Sequence, residues 1–284
     1  MRGQSVVDTA RGLLPFAHLG WGYQDRGEFH ARAREYILDG VGAGQWVQYV
    51  GDGAQEDLRV EVAEIRDLGA IVRAGHIEVS TVGDFFMYDS ETSATIDPWG
   101  SLYACTAAVE KALDGGYTGF RAVFDSSSLA RTAGQRAALA GFEYLIDKQI
   151  RALPFAAMCA YDLGELGAAA SAELLCLHSH VNPHVTPFQL YSDDAAAFAL
   201  SGQLDRSCRE VLERTLQRIL ELTGSGDVII DGRALTFADH NSLLLLDRLV
   251  GKKASTAVLR TACPTVLRIA ELIELPHVRV EASE

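Results

Sequence analysis

No apolar run in this 284-residue chain approaches the roughly 18 residues that a membrane-spanning helix requires, so no membrane association is expected. The opening stretch, MRGQSVVDTARGLLPF, scatters polar residues through its apolar ones. No secretory leader is expected there, and residues 1–15 read as a poorly structured lead-in. No CxxC pair occurs. The five cysteines, Cys105, Cys159, Cys176, Cys208 and Cys263, are odd in number and far apart, which suits a reducing cytoplasm and argues against a disulfide framework or a cysteine zinc site. Basic residues are scarce: 25 Lys and Arg against 38 Asp and Glu give a net charge of −13. Up to His184 there are 24 acidic and 14 basic residues (−10), and from Val185 onward 14 and 11 (−3). Such a surface repels a phosphate backbone, and with no basic stripe present direct nucleic-acid binding is not expected. There is no GxSxG nucleophile elbow, so Ser126-Ser127-Ser128 reads as a turn cluster. Internal repeats and low-complexity tracts are also lacking.

What is present is an alternation. Apolar segments at 17–21, 45–50, 76–82, 120–125 and 155–162 read as strands. Helical patterns at 28–41, 58–68, 98–113, 134–153 and 165–177 separate them, and Pro98 suits a first helical position because no N–H partner is needed there. This rhythm predicts a parallel sheet with helices on both faces. It breaks at His178-Ser179-His180-Val181-Asn182-Pro183-His184, whose Asn-Pro and polar character predict a linker. His178, His180 and His184 have enough imidazoles for a metal, but a linker does not fix their geometry and no metal site is assigned.

After the linker, strands are expected at 188–191 and 198–201 around an acidic turn, with a helix over 205–222. The stretch DVIIDGRALTFADHNSLLLLDRLV follows. Val228-Ile229-Ile230 reads as a buried strand closed by Asp231. A turn-rich segment containing Gly232 follows, with Leu235 and Phe237 pointing back to a core. Asp239 stands before an apolar helix and can accept hydrogen bonds from its first free N–H groups. A strand at 257–261, a helix at 264–273 and a strand at 278–281 complete the order. The length suits two domains, expected at 16–182 and 186–284.

Phe237-Ala238-Asp239-His240-Asn241-Ser242-Leu243 resembles the central motif of the STAS domain, the fold of anti-anti-sigma factors. Asp239 matches that motif. Asn241 occupies the place of the usual phosphoserine and Ser242 that of a glycine, so the ordinary phosphorylation switch is absent or moved to Ser242. The earlier part resembles the MEDS domain over about residues 16–182. The blocks that carry the resemblance are His18 with Tyr23, Phe29 before a helix, the strand at 45–50, the strand at 120–125, Phe142-Glu143, and Cys159-Ala160-Tyr161-Asp162. The resemblances imply an α/β protein: a degenerate RecA-like parallel-sheet domain that senses a small molecule, then a small STAS-like α/β domain that docks a partner through Asp239, His240, Asn241 and Ser242. They point to an anti-sigma factor or a related kinase-like protein as that partner, and self-association is compatible with both families.

The residues agree with degeneracy. A phosphate-binding loop needs GxxxxGK[ST] after the first strand, where this chain has GWGYQDRGEF, without Lys, Ser or Thr. A nucleotide-binding or hydrolysing RecA-like enzyme is therefore the alternative reading, and no catalytic residue is assigned. The candidate ligand contacts are His18, Trp21, Tyr23, Asp125, Glu143, Cys159, Tyr161 and Asp162, all on strands or their ends except Glu143 on a helix. Asp125 alone reads as a loop cap and Cys159 as a core thiol. His18 either contacts a ligand or pairs with Glu143 as a satisfied buried imidazole. No cofactor is required by the sequence.

Overall fold

The computed structural model describes residues 5–13, 16–91, 94–224, 226–253 and 255–283. Residues 1–4 and 14–15 of the expected lead-in lie outside it. The remainder is not wholly unstructured, because a two-residue strand, β1 (Ser5–Val6), pairs with a later strand.

The apolar segments form the strands, for the reason their composition gave. β2 (His18–Tyr23), β3 (Trp46–Gly51), β4 (Ile77–Thr81), β5 (Phe120–Asp125) and β6 (Phe155–Asp162) are buried along most of their lengths, as parallel strands covered on both faces must be. With β1 and the short β7 (His180–Val181) they make a seven-stranded parallel sheet in the order β1-β7-β2-β6-β5-β3-β4. The connection from β2 runs one way to β3 and that from β6 runs the other way to β7. A crevice is therefore expected at the carboxyl ends near β2.

Among the described residues, eight α-helices flank this sheet. They are α1 (Arg26–Gly42), α2 (Gln55–Glu64), α3 (Gly69–Arg73), α4 (Val82–Phe85), α5 (Pro98–Asp114), α6 (Ala133–Ile150), α7 (Leu163–Leu166) and α8 (Ala168–Leu175). Local chemistry sets their starts. Asp25 caps α1, Asp97 caps α5 ahead of Pro98, and Thr132 with Gln135 forms a capping box on α6. Two expected helices are broken. The one over 58–68 stops before Asp67, whose φ of 68° is left-handed, and the one over 165–177 is interrupted at Gly167, φ 78°.

The second sheet holds β8 (Phe188–Tyr191), β9 (Phe198–Leu204), β10 (Val228–Ala238), β11 (Ala257–Thr261) and β12 (Val278–Ala282), in the order β12-β11-β10-β9-β8. Only β8 and β9 are antiparallel. Its helices are α9 (Arg209–Leu222), α10 (His240–Lys252) and α11 (Pro264–Ala270). The segment after Asp231 is not a turn. It continues β10 through two register shifts against β9, with Leu235 buried and Phe237 half-buried. The α/β class is as expected.

Every residue of α6 from Leu139 to Asp147 is buried. One side faces the large sheet and another meets the smaller lobe, where Tyr144 donates to the carbonyl of Ala197 at 2.8 Å. A helix buried all round is an internal helix, and one apolar core runs from the large sheet through α6 into the second sheet.

Candidate functional site

Alternation along β2 decides which residues meet. His18, Gly20 and Gly22 face α6, while Leu19, Trp21 and Tyr23 face α1. The same rule on β6 sends Cys159 and Tyr161 to the α6 side. The eight expected ligand contacts therefore do not share one crevice; the sheet divides them between its two faces.

On the α6 side, Glu143 and Asp147 stand one helical turn apart and clamp the His18 ring. Glu143 Oε2 is 3.1 Å from His18 Nε2, and Asp147 Oδ1 is 3.0 Å from His18 Nδ1. Cys159 Sγ lies 3.5 Å from Glu143 Oε2 and 3.7 Å from His18 Nε2. The Tyr161 hydroxyl donates to Glu143 Oε1. The sixth member is His178, whose ring centroid is 4.1 Å from that of His18 and whose Nε2 is 3.5 Å from Glu143 Oε2. Gly20 makes room for it, since a Cβ there would stand 2.8 Å from His178 Cγ. Asp147 Oδ2 accepts from both the backbone N and the Oγ of Ser192, in the β8–β9 loop.

All these side chains are fully or almost fully buried, and their proton affinities are displaced accordingly. Burial pushes the Glu143 carboxyl up, but the His178 and His18 imidazoles more than offset it and hold it well below the usual range. Burial lowers His18, yet the hydrogen bonds to Asp147 and Glu143 prevail and raise it. His178 is lowered, by burial first and then by His18. Burial also drives the Cys159 thiol and the Tyr161 phenol far up.

The second constellation is at the carboxyl ends of β2 and β5. Asp125 accepts from the Tyr23 hydroxyl at 3.3 Å, from Ser127 Oγ at 3.0 Å, and from Arg26. Arg26, in the first turn of α1, also donates to Glu61 at 2.7 Å and to the Tyr49 hydroxyl at 3.2 Å. Burial, with the Asp125 charge beside it, pushes the Tyr23 phenol up to about 12.

The Trp21 side chain belongs to neither group, and Asp162 meets the second only through its backbone N, which donates to Ser127 Oγ at 2.9 Å. Trp21 Nε1 donates to Glu28 at 3.2 Å, and Asp162 caps α7, accepting from the backbone N of Gly164 and Glu165. In the smaller lobe Asp239 caps α10, as expected, accepting from Ser242 N at 2.7 Å. His240 and Asn241 are exposed while the Ser242 side chain is buried, so the surface at the start of this helix presents Asn241. An open groove beside it is lined by Arg206, Arg209, Glu210, Asp239, Asn241 and Ser242.

The sequence pattern predicts a linker at His178. His178 is instead buried immediately before β7, and residues 180–181 pair with β2 and β1. Asp147, Arg26 and Ser192 are not among the residues expected from the sequence. The Glu143-x3-Asp147 spacing inside an apolar helix was an available signal; nothing local marks Ser192.

A model of the family described as MEDS, the MEthanogen/methylotroph, DcmR Sensory domain, matches residues 17–179, more than half the chain. No curated protein matches the chain.

Proposed function

The chain belongs to the MEDS family of sensory domains, and from this we propose a signalling protein in which the larger lobe recognises a small molecule and the smaller lobe relays that state to a protein partner. The observation that carries the reading is the path between the lobes. Asp147 bonds His18 in the larger lobe with one carboxylate oxygen and Ser192 in the smaller lobe with the other. A rearrangement of β2 or α6 would be felt in the β8–β9 loop, because the bridge is buried and charged.

Recognition is assigned to the carboxyl ends of β2 and β5 at Tyr23, Arg26 and Asp125, where strand ends at a reversal of strand order meet a helix start. A ligand there competes for Arg26, which Asp125 and Glu61 otherwise hold. That ion network occupies the place where a phosphate-binding loop would act, and this favours recognition over nucleotide hydrolysis. Relay is assigned to the STAS-like smaller lobe. Its support is the sheet with a single antiparallel edge pair, the Asp239 cap and the exposed Asn241. The partner class this favours is an anti-sigma factor or related kinase-like protein. With Asn241 unable to accept phosphate, control comes from the larger lobe.

Native mass spectrometry of the full chain, followed by a thermal-shift screen of small, partly apolar compounds, tests recognition. The expected result is a retained non-covalent mass, or a rise in melting temperature that Asp125→Asn abolishes. A bare chain that no compound stabilises contradicts it. Capture of an anti-sigma factor with and without a stabilising compound tests the relay, and equal capture in both states contradicts it.

A further inference from the structure

The cluster behind β2 has a feature that hydrogen bonding does not account for. His178 Nδ1 is 3.1 Å from the Leu174 carbonyl, which only accepts, so the ring proton sits on Nδ1. In the ring carrying that single proton Nε2 is a bare lone pair, fully buried and without a hydrogen-bond partner among the described residues. It faces Glu143 Oε2, also an acceptor, at 3.5 Å. Two buried acceptors pointed at each other with no donor between them are unfavourable unless a cation lies between them.

The donors around that point make a compatible set. His18 Nε2, His178 Nε2, Glu143 Oε2 and Cys159 Sγ all lie within 4.8 Å of one another. In a tetrahedral zinc site with the usual metal–nitrogen, metal–oxygen and metal–sulfur bonds, adjacent donor atoms stand roughly 3.3–3.6 Å apart. Here Glu143 Oε2 is 3.1 Å from His18 Nε2, 3.5 Å from His178 Nε2 and 3.5 Å from Cys159 Sγ, and Cys159 Sγ is 3.7 Å from His18 Nε2. The supporting partners are those metal sites use. His18 Nδ1 is oriented by Asp147, His178 Nδ1 by a backbone carbonyl, and the second oxygen of Glu143 by Tyr161.

We propose that His18, Glu143, Cys159 and His178 bind one divalent transition metal of the zinc class, four-coordinate through two imidazole nitrogens, a carboxylate oxygen and a thiolate. The donor set is borderline-soft, which favours zinc or cobalt over magnesium or calcium. Four protein ligands with no open position make the site structural. It ties β2, β6, α6 and the segment following α8 together at one point. Loading releases the Cys159 thiol proton and the proton shared by His18 Nε2 and Glu143 to solvent. This inference stands apart from the sensory reading: a metal at the cluster requires no ligand at the Arg26 network.

The test uses the full chain, isolated with zinc present, dialysed and analysed for metal by mass spectrometry. A second sample is unfolded with chelator and refolded with cobalt(II). The expected result is about one metal per chain, with a near-ultraviolet sulfur-to-cobalt charge-transfer band. Cys159→Ala removes that band and His178→Gln lowers metal content at least about tenfold, the scale of losing a direct ligand, while Cys176→Ala leaves both unchanged. Circular dichroism reports whether each variant folds; if Cys159→Ala does not, the wild-type stoichiometry and sulfur band decide. A folded wild type that takes up neither metal, or one that binds cobalt without a sulfur band, overturns the proposal.

Discussion

Asp147 Oδ2 accepts two hydrogen bonds from Ser192, one from the backbone N at 2.7 Å and one from Oγ at 2.6 Å, across the junction of the two lobes. Hydrogen bonds to a buried carboxylate are among the stronger ones, at about 1.5–3 kcal/mol each. Ser192→Ala removes one and is expected to cost about that much in urea unfolding. Asp147→Asn is expected to cost more, about 3–5 kcal/mol, because His18 also loses its carboxylate partner. Equal costs for the two variants contradict the bridge as described.

A second junction is Glu173 on α8. Its carboxylate lies 2.6 Å from Arg214 and 2.9 Å from Arg218, both on α9, and 3.5 Å from Arg136. Glu173→Ala strips three guanidinium groups of a shared partner and is expected to destabilise by about 3–5 kcal/mol. Arg214→Ala is expected to cost about 1 kcal/mol or less, because its side chain is 45% exposed and Glu173 keeps two partners. Urea midpoints of the two variants check the order.

Acid acts at the Arg26 network. The hydrogen bond from His30, with Arg26 beside it, depresses the Glu61 carboxyl from 4.5 to about 2. A carboxyl depressed on folding stabilises the fold above its unfolded value, and that contribution is lost as pH falls through the folded one. Stability is therefore expected to decline between about pH 4.5 and pH 2, and Glu61→Gln to flatten that part of the profile. Urea midpoints measured across that range check it; an unchanged slope in Glu61→Gln contradicts it.

Gly20 and Gly42 make a matched pair. A Cβ on Gly20 meets the His178 ring at 2.8 Å, so Gly20→Ala is expected to cost about 1–3 kcal/mol and to shift the His178 ring resonances. A Cβ on Gly42, the last residue of α1, meets nothing within 4 Å, and Gly42→Ala is expected to be neutral or stabilising by up to about 1 kcal/mol. Melting curves and imidazole NMR check both.

The strands were legible because apolar runs such as FRAVFD and FAAMCAYD have few other ways to be buried, and both occupy the residues expected. The Asp239 cap was legible for a similarly local reason. What the sequence concealed depends on partners far along the chain. His178 looked like linker because Asn182 and Pro183 follow it, yet it packs on Gly20, over 150 residues earlier. One shared crevice was expected from strand ends alone. The twofold alternation of β2 and β6 instead separates His18, Cys159 and Tyr161 from Tyr23 and Asp125.

Hydrogen–deuterium exchange of the full chain, compared with Ser192→Ala, addresses the communication between lobes without needing a ligand or partner. If the Asp147–Ser192 bridge couples them, the variant exchanges faster in α6, in the β8–β9 loop and in the first turn of α10, where Asp239 caps the expected docking surface. Faster exchange confined to the immediate neighbours of residue 192, with α6 and α10 unchanged, would contradict it.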